Sequence, residues 1–192
     1  TQIEQAFAPK RLKAVALSIN SPGGSPTQSA LIAARIRRLA LEREVKVYAF
    51  CEDVVASGGY WLATAGDEIW ADDNSIIGSI GVIYAGFGFQ ALLEKQGIER
   101  RVHTAGESKS MLDPFKPENP DDVARIKTLQ EQIHQNFISQ VKSRRGLKLA
   151  DQNLFTGDVW VGEGAREVGL IDGVGHLVPK MKDIFGEKVR LN

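Results

Sequence analysis

Residues 14 to 19, Ala-Val-Ala-Leu-Ser-Ile, form a nearly unbroken apolar run that ends in Asn20-Ser21-Pro22-Gly23-Gly24. A run so short and so apolar reads as a strand buried on both faces, and the Pro-Gly-Gly sequence reads as a tight turn. Ser25-Pro26-Thr27-Gln28 then supplies an N-cap, a proline in the first turn and a glutamine at the capping-box position. Ile32, Ile36 and Leu39 recur at helical spacing up to about Glu44. A second strand is predicted over Lys46 to Cys51. Strand, helix and strand in that order imply parallel pairing through a right-handed crossover, so the fold class is α/β.

The pattern continues in outline. Ala56 to Ala65 reads as a short apolar helix, Glu68 to Ala71 as a strand and Asp72-Asp73-Asn74 as a turn. Further on, Gly86 to Gln96 suits a helix and Glu99 to Thr104 a strand. Gly106 to Pro120 holds three prolines and reads as an irregular loop. The longest helix starts at Asn119-Pro120. Its apolar stripe is Val123, Ile126, Leu129, Ile133, Phe137 and Val141, its basic end is Lys142, Arg144 and Arg145, and Gly146 stops it. Thr1 to Pro9 reads as a further helix, and Val161 to Phe185 as two short ones.

At 192 residues the chain has the size of one domain. Twenty-four basic against 24 acidic residues leave no net field to recruit nucleic acid or an anionic membrane. The single cysteine, Cys51, excludes an internal disulfide and a Cys-rich metal site, and its apolar surroundings mark it as a small buried hydrophobe. No run of 18 apolar residues occurs, and Thr1 opens no charged-then-apolar targeting pattern. No H-E-x-x-H or comparable ligand cluster calls for a metal, and no cofactor is expected.

Glycines beside strand ends are where chemistry would sit. Neither nucleotide-binding fingerprint fits their spacing. Gly23-Gly24 follows a buried parallel strand, so its amides can face the crevice at the carboxyl end, where open α/β sheets bind ligands. Ser57-Gly58-Gly59 occupies the same place after the next strand. One hydroxyl and two amides on adjacent strand ends are the parts of a nucleophile and an oxyanion hole. Ser57 can equally be an N-cap with glycines that permit tight turns, and spacing alone does not choose. No local pattern recruits His103, His134 or His176 as a base. Lys109, in the loop Gly106-Glu107-Ser108-Lys109-Ser110-Met111-Leu112, is a lysine that burial could turn into one, although most loop lysines are solvated.

The segments Asn20 to Ser25, Val55 to Tyr60, Ile77 to Val82 and Gly106 to Lys109, in that order, resemble the signal peptide peptidase A/SohB family of serine peptidases. The resemblance runs from about Ala14 to the C-terminus. It implies a ClpP/crotonase-like parallel sheet with repeated β-β-α-type units flanked by helices. It also implies Ser57 as nucleophile, Lys109 as general base, Ser79 as the serine that orients the lysine amine, and the Gly24 and Gly58 amides as oxyanion hole. Ser75, Ser108 and Ser110 have no such match. Substrates would be hydrophobic peptides such as released signal peptides, bound extended, with Val54, Val55 and Tyr60 near the pocket. A neutral lysine is the working form, so activity should rise towards alkaline pH. Residues 1–192 would be one peptidase domain lacking an N-terminal membrane anchor and a first strand, hence a membrane-associated protein. A single copy of the motif set implies the short form, a homo-oligomeric ring in which a neighbouring subunit supplies the lysine. Two rivals remain at this point: an acyl-CoA hydratase or isomerase of the crotonase type, and an inactive scaffold that binds membrane-protein segments.

Overall fold

The computed structural model describes residues 1–191, the side chain of Glu107 excepted. The chain forms two compact units, Thr1–Gly81 with Gln135–Asn192, and Val82–His134.

The first unit is built on a mostly parallel sheet. Helix α1 (Gln2–Phe7) is capped by Thr1, whose hydroxyl accepts from the Glu4 amide. Strand β1 (Ala14–Ser21) leads into α2 (Pro26–Arg43), where Ser25 caps by accepting from the Gln28 amide at 3.4 Å. Strand β2 (Lys46–Ala56) is longer than its apolar run suggests, and α3 (Gly58–Ala63) follows at once. Three short strands complete the sheet with β3 (Glu68–Ala71): β4 (Ile76–Gly78), β5 (Val159–Val161) and β6 (Gly173–Val174). All pairs are parallel except β4 with β5.

Register fixes what stands beside what. Strand β2 pairs with β1 along one side, and with β3 and then β4 along the other. Its carboxyl end is therefore flanked by the carboxyl ends of β1, with Ser21 opposite Val55, and of β4, with Gly78 opposite Ala56. Val47, Ala49, Val55, Ile69 and Ile77 are completely buried, and the Trp61 and Phe137 rings stack at 4.8 Å. Each large apolar side chain removed from water contributes roughly 1.5–3 kcal/mol, which is what holds these strand ends in place. Cys51 is buried, and burial pushes its thiol up to about 12, so it is inert as expected.

The second unit departs further from the sequence expectations. Helix α4 spans only Gln90–Gln96, with Gly86 through Phe89 outside any helix or strand. Glu99 to Thr104 is not a strand: it is irregular, and no strand of the described residues pairs with it. Its one apolar residue, Val102, could bury little in a sheet. Gly106 to Pro120 contains a short 3-10 turn at Glu107–Ser110. Arg100 ion-pairs with Asp113, and its guanidinium lies 4.7 Å from the Phe115 ring centre. The longest helix, α5 (Pro120–Arg145), begins and ends where the sequence places it. Helices α6 (Gly162–Glu167) and α7 (Leu177–Phe185) are the two short ones of the tail.

Candidate active site

Ser57 is the link between β2 and α3, and its backbone is strained, with φ 51° and ψ −122°. A non-glycine residue held at positive φ costs of order 1–3 kcal/mol and persists only where its surroundings impose it. Here the Ser57 amide donates to the Gly78 carbonyl at 2.8 Å, and its own carbonyl accepts from the Trp61 amide at 3.0 Å. The Ser57 hydroxyl makes no capping bond to α3. The plain N-cap reading therefore fails, and among the described residues the turn gives the hydroxyl no hydrogen-bond partner at the carboxyl end of the sheet.

Gly23-Gly24 flanks this serine on the β1 side. A Cβ on Gly23, whose φ is 117°, would lie 2.8 Å from the Ser57 Cβ and 3.1 Å from the Gly58 nitrogen. A Cβ on Gly58 would lie 3.2 Å from the Gly24 nitrogen and 2.5 Å from the Ser29 hydroxyl. The two turns touch only because both positions lack a side chain. Among the described residues, neither the Gly24 nor the Gly58 amide donates a hydrogen bond. The Gly58 amide also opens a helix, where N–H groups have no intrahelical acceptor.

Ser79 flanks Ser57 on the β4 side. It follows Gly78 as Ser57 follows the paired Ala56, so the two serines occupy successive places at neighbouring strand ends. Ser79 is also at φ 51°, held by its amide's 2.7 Å bond to the Asp158 carbonyl. Both serines are half-buried.

Four of the five residues singled out in the sequence, Ser57, Ser79, Gly24 and Gly58, are thus gathered in the first unit. Lys109 belongs to the second, in the 3-10 turn, where it is exposed. Its neighbours Ser108 and Ser110 line a cavity of about 580 Å³ within that unit, with Tyr84, Phe87 and Met111. Tyr60 and Val55 are core residues, not pocket ones: both are fully buried, and the Tyr60 hydroxyl donates to the Leu170 carbonyl at 2.7 Å. Ser75 is buried as well, bonded to the Cys51 carbonyl at 3.2 Å. His176 is exposed beside Asp72, 3.2 Å away, and His103 lies on the exposed segment of the second unit. Among the described residues no group of three His, Cys, Asp or Glu side chains is placed to hold a metal ion.

A strained serine at a strand-to-helix turn, with two free amides beside it, is an arrangement for acyl transfer: a nucleophile next to donors for the oxygen that becomes charged. Comparison with known proteins agrees with that class. The model for Peptidase family S49 matches residues 40–183, and the chain belongs to that family of serine peptidases. Over 98% of its length it is 56% identical to parts of two proteins named Na(+)/H(+) antiporter NhaA, from Brucella melitensis and Brucella abortus, covering 26% of each. It is 31% identical, over 98% of its length, to the Putative signal peptide peptidase SppA of Enterococcus faecium, of which it covers 55%. The chain thus spans about a quarter of the first two relatives and about half of the third.

Proposed function

We propose that this chain is the catalytic part of a serine endopeptidase with a Ser57–Lys109 dyad. The observation that carries the reading is the strained turn at Ser57, with uncommitted amides of Gly24 and Gly58 beside it. In the proposed cycle the Ser57 Oγ attacks the scissile carbonyl carbon while its proton passes to the neutral Lys109 amine. The carbonyl oxygen, now negative, takes hydrogen bonds from the two amides. The tetrahedral intermediate collapses, the C–N bond breaks, and the protonated lysine returns its proton to the leaving amine. Water, deprotonated by the same lysine, then hydrolyses the acyl-enzyme. Ser79 holds the lysine amine towards Ser57.

The substrates are hydrophobic peptides, such as released signal peptides or membrane-protein segments. Lys109, exposed in its own chain, is supplied by a neighbouring subunit of a homo-oligomer. Membrane association is part of the proposal and rests on the resemblance; no helix of the described residues is long and apolar enough to cross a membrane. Transport is not carried over from the Brucella proteins, because the stretch they share with this chain includes the part that matches a peptidase family. The same match favours the peptidase over the acyl-CoA reading.

The test is turnover of a fluorogenic hydrophobic-peptide panel by the wild type, Ser57→Ala and Lys109→Ala, each checked for equal assembly. Both substitutions should lower kcat by about 10³-fold or more. Mixing the two inactive variants under subunit exchange should restore part of the activity, since some sites then combine an intact serine with an intact lysine. Retained turnover in Lys109→Ala would show that the base is elsewhere.

A further inference from the structure

Ser29 lies in the second turn of α2 and is buried, an unusual place for a helical serine. Its hydroxyl donates to the Ser25 carbonyl at 3.1 Å, the same oxygen that accepts the Ser29 amide at 3.0 Å. The hydroxyl is therefore committed within its own helix and is not presented to substrate. What the side chain does reach is the face of Gly58 that the Gly24 nitrogen also borders. Of the three atoms nearest to where a Gly58 Cβ would stand, two belong to Ser29, Oγ at 2.5 Å and Cβ at 3.5 Å, and the third is the Gly24 nitrogen at 3.2 Å. The amides belong to different turns, and no hydrogen bond among the described residues ties Gly23-Gly24 to Ser57-Gly58. Their separation is set by packing.

From this we infer that Ser29 is a positioning residue that spaces the Gly24 and Gly58 amides, an inference that rests on the peptidase reading above. Its Oγ is the wedge, and the back-bond to Ser25 fixes the wedge at the N-terminus of α2, the end joined directly to Gly24. A smaller side chain lets the gap close or tilt. A larger one drives the Gly58 backbone away, because the Ser29 oxygen already fills the place of a Cβ. Such shifts act on donors that matter only when the oxyanion forms, so they appear in kcat and not in substrate affinity.

The test compares Ser29→Ala and Ser29→Val in the full chain with wild type and Ser57→Ala, using one hydrophobic peptide substrate and its peptide aldehyde, which Ser57 converts to a hemiacetal. Ser29→Ala should lower kcat about tenfold and Ser29→Val about 10²-fold, with KM within twofold of wild type. The aldehyde inhibition constant should weaken in parallel with kcat/KM. Circular dichroism melting identifies a variant that fails to fold; if Ser29→Val does so, Ser29→Ala decides. Wild-type kcat and aldehyde inhibition in folded Ser29→Ala, or a change confined to KM, would overturn the inference while Ser57→Ala remains inactive. Turnover by Ser57→Ala would instead overturn the peptidase reading itself.

Discussion

Ser57 is strained, and Gly23 packs directly against it. With φ at 117° and no side chain, Gly23 lets the β1 turn come within contact distance of the Ser57 Cβ and the Gly58 nitrogen. Gly23→Ala adds an atom 2.8 Å from that Cβ and 3.2 Å from the Ala56 carbonyl oxygen, with rigid backbone on two sides. We expect a loss of about 2 kcal/mol in urea unfolding, combining the unfavourable φ with the displaced turn. Turnover should fall at least about 10²-fold, because the nucleophile and both donors shift together. Normal turnover in a folded Gly23→Ala would mean that the turns are not in contact in the working enzyme. At this scale Ser57, Gly24 and Gly58 are legible in the sequence, since glycine and serine clusters at strand ends leave a linear pattern, whereas Ser79 enters only through the family resemblance. Ser29 is not, because a small polar residue in a helix has no signature of what packs on it. Tyr60 misleads for the opposite reason: its neighbours in sequence line the turn, but its ring is drawn into the core by the Leu170 carbonyl.

Elements with their own periodicity, β1, α2, β3 and α5, are readable from the order of residues alone. Strands β4, β5 and β6 are not, for two or three residues carry no period and exist only through their partners. Glu99 to Thr104 shows the converse, a segment that reads as a strand but that no strand of the described residues pairs with. The end of α5 is fastened by charge: Arg145 is buried and donates to the Gly169 carbonyl at 2.9 Å and to Asp172 at 2.7 Å, while Lys148 reaches the other Asp172 oxygen at 2.6 Å. Burial pushes the Asp172 carboxyl up, but hydrogen bonds from Arg145, Lys148 and the Ile69 amide outweigh it and hold the group below its ordinary value. A carboxyl lowered in the folded state stabilises the fold above the unfolded pKa of about 3.9, and that stabilisation is lost as pH falls through the folded value. Asp172→Asn leaves the Arg145 guanidinium buried without its carboxylate and should cost about 3 kcal/mol at pH 7. In denaturant titrations the gap between wild type and variant should be constant from pH 7 to 5 and shrink below about pH 4. A gap that does not change with pH would mean that the ionised carboxylate contributes nothing beyond its shape.

On the scale of the whole molecule, the second unit leaves several large apolar side chains exposed. Ile83 is 86% exposed and Phe87 80%, and Tyr84, Leu92 and Ile98 are each at least half exposed. The unit also carries Lys109, the one member of the proposed dyad outside the first unit. Both features make sense together if a second copy of the chain covers this surface and receives the lysine. With 24 charges of each sign the chain has no net field to drive association, so the contact should be apolar and insensitive to salt. Sedimentation velocity at micromolar concentration should therefore find an oligomer that survives 0.5 M sodium chloride. The double variant Ile83→Asp with Phe87→Asp should sediment as a folded monomer, because two carboxylates cannot be buried unpaired in such a contact. It should lose turnover, although Ser57, Ser79, Lys109 and both glycines are intact. A wild type that is monomeric and still cleaves peptides would remove the need for a partner's lysine, and the base would then have to be sought within one chain.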